Sequence, residues 1–227
     1  MVFVLVHSPL VGPSTWAPVA HALERRGRQA VVVSLFGPDG TQPSDWRPCV
    51  EAVRDAVQTL SGPIALVGHS GAGLLLPAIA DAVAPPIGAL IFVDSGIPAH
   101  TGETPFVPPS FLDQLRALAV EGVLPPWSTW FGDDAMRELV PDETLRPALA
   151  QEMPSLEVAF LEQSIPSPVG WDRLACAYLL LSDAYREAAD AAREAGWRVE
   201  EISGAQHLHI VVAPEAVADA LIRLAAA

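Results

Sequence analysis

The sequence of 227 residues predicts an α/β fold, a mostly parallel β-sheet flanked by helices. Short runs of β-branched residues alternate with longer segments of helical periodicity, which is typical of βαβ units. The strand-like runs are apolar at consecutive positions, as expected of parallel strands that helices cover on both faces. Apolar residues make up 51% of the chain and charged residues 18%, so the composition excludes intrinsic disorder of the whole chain.

The first part of the chain, residues 1–97, supplies four predicted strands with helices between them. The strands cover residues 2–6, 30–34, 63–67 and 87–93, and the helices cover 16–26, 45–60 and 71–83. A strand at 175–181, a helix at 183–195, a strand at 197–202 and a helix at 214–226 follow later. We therefore predict one core domain formed by residues 1–97 and 171–227. The carboxyl ends of its strands are where functional side chains should gather.

Residues 98–170 have a different character, since they are rich in proline and contain no strand-like apolar run. Helical stretches fit residues 110–120, 133–139, 142–151 and 155–162. An ordered insertion of this length between two strands is usually functional, so we interpret it as a helical lid over the core. Its aromatic residues are expected to line an apolar pocket. These residues are Trp127, Trp130, Phe131 and Phe160.

Charge and residue usage exclude several classes of function. The formal net charge of -14 would repel a phosphate backbone, so we expect no nucleic-acid partner. The chain has no lysine, which excludes Schiff-base and P-loop lysine chemistry. Its two distant cysteines suggest no metal site. No leader and no membrane-spanning apolar run are evident, so we expect a cytoplasmic protein without membrane contact. A homodimer remains open.

The sharpest motif is Gly68-His69-Ser70-Gly71-Ala72, directly after a predicted strand and directly before a predicted helix. A serine on such a tight turn projects above the sheet, and the N–H groups that follow it can stabilise an oxyanion. The usual pattern is G-x-S-x-G. Alanine at position 72 is small enough to fit, so the motif predicts Ser70 as a nucleophile with Gly71 N–H as an oxyanion donor.

With this motif, an opening strand that ends in His7, an insertion and a late histidine, the chain resembles the α/β-hydrolase superfamily. The start, Phe3 to His7 followed by Trp16, looks like the small plant branch of hydroxynitrile lyases and methyl-ester esterases. The resemblance covers nearly the full length. It implies a Ser–acid–His triad in that chain order and no cofactor.

A serine hydroxyl needs a base to take its proton. Family members usually place that histidine in a G-x-x-H loop after the last strand, which maps onto His207. The family's acid normally follows the strand at 175–181, and this favours Asp183. Asp94, at the end of the strand 87–93, is the alternative acid, and the sequence alone does not separate the two. His69 and His209 are further residues expected at the pocket.

The predicted oxyanion loop, residues 7–12, departs from a plain esterase because Pro9 has no N–H. The second oxyanion donor is then Leu10 N–H, the Ser8 hydroxyl, or nothing. Hydroxynitrile lyases carry a threonine at the place of Ser8, which favours lyase chemistry. They also carry a lysine just after the catalytic histidine, where this chain has Leu208, and this argues against cyanohydrin cleavage.

These features together predict a serine hydrolase that cleaves an ester or thioester of a small, largely apolar molecule. The alternative is a lyase, cyclase or acyl transferase on the same scaffold, used in natural-product tailoring. A catalytically inactive member that binds a ligand is the third class, because fold alone does not imply activity.

Overall fold

The computed structural model describes residues 1–37 and 39–226. Pro38 and Ala227, which belong to the predicted core ranges, lie outside the described residues. The strands in the described part are β1 (Val2–Val6), β2 (Ala30–Val33), β3 (Ile64–His69), β4 (Ile87–Val93), β5 (Gly102–Pro105), β6 (Val123–Leu124), β7 (Leu156–Glu157), β8 (Ser164–Ser167), β9 (Cys176–Leu180) and β10 (Arg198–Glu201). The α-helices are α1 (Ala17–Arg25), α2 (Trp46–Val57), α3 (Leu76–Ala82), α4 (Pro109–Leu118), α5 (Asp133–Leu139), α6 (Arg146–Gln151), α7 (Val158–Leu161), α8 (Arg186–Glu194), α9 (His209–Val212) and α10 (Pro214–Ala225).

Six strands form one parallel sheet in the order β10-β9-β4-β3-β1-β2. The predicted α/β class with a mostly parallel sheet is confirmed. In the centre of the sheet, Val6 of β1 pairs with Gly68 of β3, and His69 of β3 pairs with Val93 of β4. The carboxyl ends of these three neighbouring strands therefore lie side by side, and the residues that follow them share one edge.

The sheet is apolar on both faces because each central strand sends alternate side chains to opposite sides. Val4, Leu66 and Leu90 belong to one buried cluster. Their chain neighbours Leu5, Val67 and Ile91 belong to the other cluster. All six are fully buried. This explains why the strands appear in the sequence as continuous apolar runs instead of alternating ones.

Helices cover the two faces unequally. Helices α1 and α10 pack on each other and on one face, with Val19, Leu23 and Leu221 completely buried. Helices α2, α3 and α8 cover the other face. The helix predicted over residues 71–83 is divided, since a 3₁₀ turn occupies Ser70–Leu75 and α3 begins at Leu76. Pro77 lies in the first turn of α3, where a missing N–H costs no helical hydrogen bond.

The segment 98–170 contains short strands that the sequence did not predict, as well as the expected helices. Strand β5 pairs antiparallel with β8, and β6 pairs with β7. The predicted helix 142–151 begins only at Arg146, and in 155–162 only α7 is helical, after β7. These strands are two to four residues long and several are polar, so they carry no periodic signal.

The β5–β8 pair joins the two ends of this segment, because Gly102 lies opposite Ser167. Further in, the rings of Phe106 and Phe160 meet edge to face at 5.1 Å between centroids, and both side chains are buried. The division into a core and a lid stays a prediction.

Among the described residues, no helix combines the length and the apolar character that a membrane crossing requires.

Candidate active site

Ser70 occupies the tight turn between β3 and α3. Its φ of 55° lies in the left-handed region, which a non-glycine residue adopts only under constraint. A Cβ added to Gly68 would lie 2.9 Å from the Ala72 carbonyl oxygen, so only glycine fits where the turn crosses the strand end. Ala72 is itself fully buried, and its single methyl group is accommodated. The strand, turn and helix thus have the order that the motif predicts.

His207 lies in the loop after β10, and its ring contacts Asp94 at the end of β4. Nδ1 of His207 is 2.7 Å from Oδ2 of Asp94. A carboxylate only accepts hydrogen bonds, so Nδ1 carries the proton and donates, which leaves Nε2 able to accept one. This is the tautomer that a histidine base requires.

Asp94 is completely buried, with a φ of 45°, and the end of β9 surrounds its carboxylate with donors. Oδ1 accepts the N–H groups of Leu181 at 2.9 Å and Ser182 at 2.8 Å, and Oδ2 accepts the Ser182 hydroxyl at 2.6 Å. Burial alone would raise the pKa of Asp94. The hydrogen bond and charge of His207 and the bonds from Ser182 outweigh burial, and the pKa lies below its usual value.

Asp183 does not contact His207, and the expectation that it orients the imidazole is corrected. Its side chain is 92% exposed and forms an ion pair with Arg186 at 2.8 Å. The carboxylate follows the last residues of β9 but turns into solvent at the start of a 3₁₀ turn. Asp94, the alternative that the sequence left open, takes the place beside His207 instead.

Three aromatic rings surround His207. The Tyr185 ring stacks on it at 5.4 Å between centroids and 18° between planes, while His69 lies at 4.5 Å and Trp127 at 5.9 Å. Sequence reasoning missed Tyr185, and only its place just beyond the carboxyl end of β9 could have indicated it. Burial raises the pKa of Tyr185, and the Ser70 side chain opposes that rise.

Ser70 and His207 line the same narrow cavity, together with Ser8, Leu10, Val11, His69, Trp127 and Leu208. Solvent has about 10 Å³ of free space there, which is the scale of one water molecule. Among the described residues, the Ser70 hydroxyl makes no hydrogen bond to His207. The two groups that were expected to react together therefore share a cavity without a hydrogen bond between them.

The β1–α1 loop, residues 7–16, forms the opposite wall of this cavity. His7 donates from Nδ1 to the Ser8 carbonyl at 2.8 Å and accepts the Leu35 N–H on Nε2 at 3.0 Å. Burial lowers the pKa of His7 to about 4, so its ring is neutral near pH 7. Leu10 N–H donates to Ser8 Oγ at 3.3 Å. Ser8 Oγ would in turn lie 3.4 Å from a Cβ added at Gly71, which brings the predicted oxyanion donors together.

His69 is buried and supports the loop that carries His207. Its Nε2–H donates to the His207 carbonyl at 3.0 Å, and its Nδ1 is buried with no partner among the described residues. Burial, followed by the nearby His207, lowers the pKa of His69 to about 3. His209 begins α9 and does not line the cavity, although partial burial lowers its pKa as well.

Of the aromatic residues predicted for the pocket, Trp127 lines this cavity and the other three do not. Trp130 donates its Nε1–H to the Pro125 carbonyl at 2.8 Å, Phe131 is 60% exposed, and Phe160 is buried against Phe106. The Phe106 ring, in contrast, approaches the turn, since it would lie 3.1 Å from a Cβ on Gly71. No cluster of three or more metal-ligating side chains occurs in the described part of the chain.

Comparison with known proteins agrees with this architecture. The Alpha/beta hydrolase family matches residues 3–220. The chain is 26% identical to Methylesterase 8 of Arabidopsis thaliana over 244 residues, covering 98% of this chain and 89% of the relative. It is 29% identical to the carbendazim hydrolyzing esterase of Nocardioides sp. (strain SG-4G) over 141 residues, which are 57% of this chain and 51% of that one.

Among solved structures, the extracellular α/β-hydrolase from a Paenibacillus species superposes with a TM-score of 0.78 at 17% identity, over 99% of this chain and 98% of that one. This similarity concerns the fold. The family match spans nearly the whole chain, and its relatives are named as esterases. The chain therefore belongs to the α/β-hydrolase family, in its esterase-like branch, and is a hydrolase enzyme.

Proposed function

We propose that this enzyme is a serine esterase in which Ser70 is the nucleophile, His207 the base and Asp94 the acid. The observation that carries the proposal is the buried Asp94–His207 pair, with 2.7 Å between Oδ2 and Nδ1, on the wall of the cavity that holds Ser70. A carboxylate with four hydrogen bonds keeps its charge, and that charge stabilises the imidazolium that forms during attack.

The reaction begins when Nε2 of His207 takes the proton of Ser70 and Oγ attacks the ester carbonyl. The tetrahedral adduct collapses, and the leaving alcohol receives the proton from His207. Water then hydrolyses the acyl-enzyme with His207 again as base. Ser70 and His207 line the same cavity without a hydrogen bond between them among the described residues, so the two groups must approach each other as substrate binds.

The oxyanion needs donors other than residue 9, which is proline. Gly71 N–H follows the nucleophile directly and supplies one. Ser8 Oγ already accepts the Leu10 N–H, so its own proton is free to donate toward the substrate oxygen. We therefore assign the second position to the Ser8 hydroxyl, supported by Leu10.

The substrate in this proposal is an ester of a small, mostly apolar acid with a small alcohol such as methanol. Leu10, Val11, Trp127 and Leu208 present apolar surface to the cavity, and little free space remains in it. The net charge of -14 disfavours highly anionic substrates. The relative named as a methylesterase supports this class. Trp127 belongs to segment 98–170, so substrate entry requires this proposed lid to move.

The test is the hydrolysis of short p-nitrophenyl esters by Ser70→Ala, together with labelling of the wild-type chain by a fluorophosphonate probe. Turnover should fall by about 10⁴-fold or more, and one equivalent of probe should attach at Ser70. Ser167→Ala is the matched control, because Ser167 is a buried serine in β8 that does not line the cavity. Undiminished hydrolysis by Ser70→Ala would refute the proposal.

A second candidate function is a non-hydrolytic lyase, cyclase or acyl transferase. It is favoured by the absence of a Ser70–His207 hydrogen bond among the described residues, which leaves Nε2 of His207 free to take a proton from a substrate carbon. Retained turnover of such a substrate by Ser70→Ala, combined with loss in His207→Ala, would support this candidate over ester hydrolysis.

A further inference from the structure

The β1–α1 loop carries Ser8 and Leu10 and is held in shape by several bonds. Val11 N–H donates to the Ser8 carbonyl at 3.1 Å, and the Thr15 hydroxyl donates to the Gly12 carbonyl at 2.7 Å. These bonds are internal to the loop. They define its local turns, but they do not fix where the loop stands relative to Ser70.

Leu35 N–H holds the start of this loop through His7, and a second contact from a distant part of the chain reaches its other end. Glu152 follows α6 in the segment 98–170, and its Oε2 accepts the Ser14 N–H at 2.9 Å across 138 residues of sequence. The Glu152 side chain lies directly on Gly12, since a Cβ added there would be 2.9 Å from its Cδ and closer still to Oε2. Gly12 has φ −97° and ψ 174°, so glycine is needed for this close approach and not for its backbone conformation.

The end of α6 is anchored on either side of Glu152. Leu149 and Met153 are buried in the same apolar cluster as Val11 and Trp16 of the loop. Burial lowers the pKa of His7, and the backbone of Ser8 and Val11 and, to a smaller extent, the Glu152 charge oppose that lowering. The carboxylate is thus held at one place by apolar contacts before and after it.

We propose that Glu152 is a positioning residue for the oxyanion loop, through which the segment 98–170 sets the distance between Ser8 and Ser70. This inference rests on the proposed function, in which Ser8 donates to the oxyanion. Loss of the Glu152 bond would let residues 12–14 move and would misplace the donor. Since the misplaced donor matters mainly in the transition state, kcat should change more than KM.

The test compares Glu152→Ala, Glu152→Gln and Gly12→Ala with the wild type on a short p-nitrophenyl ester. Removal of a whole oxyanion donor costs about 10²–10³-fold in kcat, so misplacing one should cost about 10- to 100-fold. We expect this loss in Glu152→Ala, with KM changed less than about threefold. Gly12→Ala should show the same pattern, because its methyl group displaces Glu152. Glu152→Gln should keep most of kcat, since its amide oxygen can accept the same N–H.

Gln163→Ala is the matched control. Gln163 also belongs to segment 98–170, and its Oε1 accepts the N–H of the core residue Trp46 at 3.3 Å, so this variant removes a similar bond away from the loop. Its kcat should equal that of the wild type. If Glu152→Ala behaves like Gln163→Ala, or if Glu152→Gln loses as much kcat as Glu152→Ala, the inference is overturned. Failure of wild-type hydrolysis and of Ser70 labelling would instead overturn the proposed function.

Discussion

The ends of the neighbouring strands β4 and β9 each carry an aspartate at the same edge of the sheet, yet the two carboxylates have opposite surroundings. Asp94 after β4 is fully buried and accepts four hydrogen bonds, including that of His207. Asp183 after β9 is 92% exposed and pairs only with Arg186 among its described contacts. Both follow a strand of buried residues, so strand position alone does not distinguish them.

The difference arises because the end of β9 supplies hydrogen-bond donors to the aspartate at the end of β4. Because β9 lies beside β4, the N–H groups of Leu181 and Ser182 point at the carboxylate of Asp94. The left-handed φ of Asp94 turns its side chain toward them. The family usually places its acid after β9. Here the end of β9 supplies hydrogen-bond donors, and the carboxylate that meets His207 comes from the end of β4.

Asp94→Asn should produce the largest effect. Asparagine tolerates the left-handed backbone, so the fold should persist, but its NH₂ group would donate to His207 and stabilise the wrong tautomer. We expect kcat on a p-nitrophenyl ester to fall by about 10⁴-fold. Steady-state kinetics at pH 7 measure this, with circular dichroism to confirm folding.

Asp183→Asn is the control that makes this comparison decisive. Because the Asp183 side chain is exposed, this substitution should leave kcat and the melting temperature unchanged within error. A variant at Asp183 that loses as much activity as Asp94→Asn would contradict the assignment of the acid and restore the family's usual position.

Ser182→Ala should have the next largest effect, because it removes the hydroxyl that donates to Asp94 at 2.6 Å. Hydrogen bonds to charged groups contribute about 1.5–3 kcal/mol, so the free energy of unfolding in urea should fall by that amount. The Ser167→Ala control loses a bond to the neutral Thr104 hydroxyl and should cost only about 0.5–1.5 kcal/mol. Equal losses would mean that the Asp94 charge does not strengthen its bonds.

The smallest expected effect is on how the free energy of unfolding of the wild type and of Asp94→Asn depends on pH. The pKa of Asp94 is lower in the folded protein than in the unfolded chain, so its contribution is complete above the unfolded value of about 3.9. The contribution is lost as the pH falls from there through the folded pKa. The stability advantage of the wild type over Asp94→Asn should therefore be smaller at pH 3 than at pH 5. Urea unfolding at each pH measures it, and an equal gap at pH 5 and pH 3 would argue against an ionised Asp94.

Much of the fold follows from local patterns. Strand β4 begins and ends where the apolar run 87–93 predicts, and the turn at Ser70 has small residues where a strand must pass closely into a helix. The pairing of β5 with β8 was missed because about 60 residues separate strands that contain proline and polar residues. Tyr185 and Glu152 were missed for a similar reason, since each contacts a residue from another part of the chain, Tyr185 with His207 and Glu152 with Ser14.

The sequence by itself determined the α/β class, the nucleophile candidate and the histidine candidate, because β-branched runs, a tight turn and a short loop motif are local properties of the chain. Only the tertiary structure decided which aspartate meets His207 and what holds the β1–α1 loop. Those outcomes depend on strand order and on hydrogen-bond partners more than 80 residues away in the chain: Ser182 donates to Asp94, and Glu152 accepts from Ser14. The burial of a carboxylate is stable only when such distant donors converge on it.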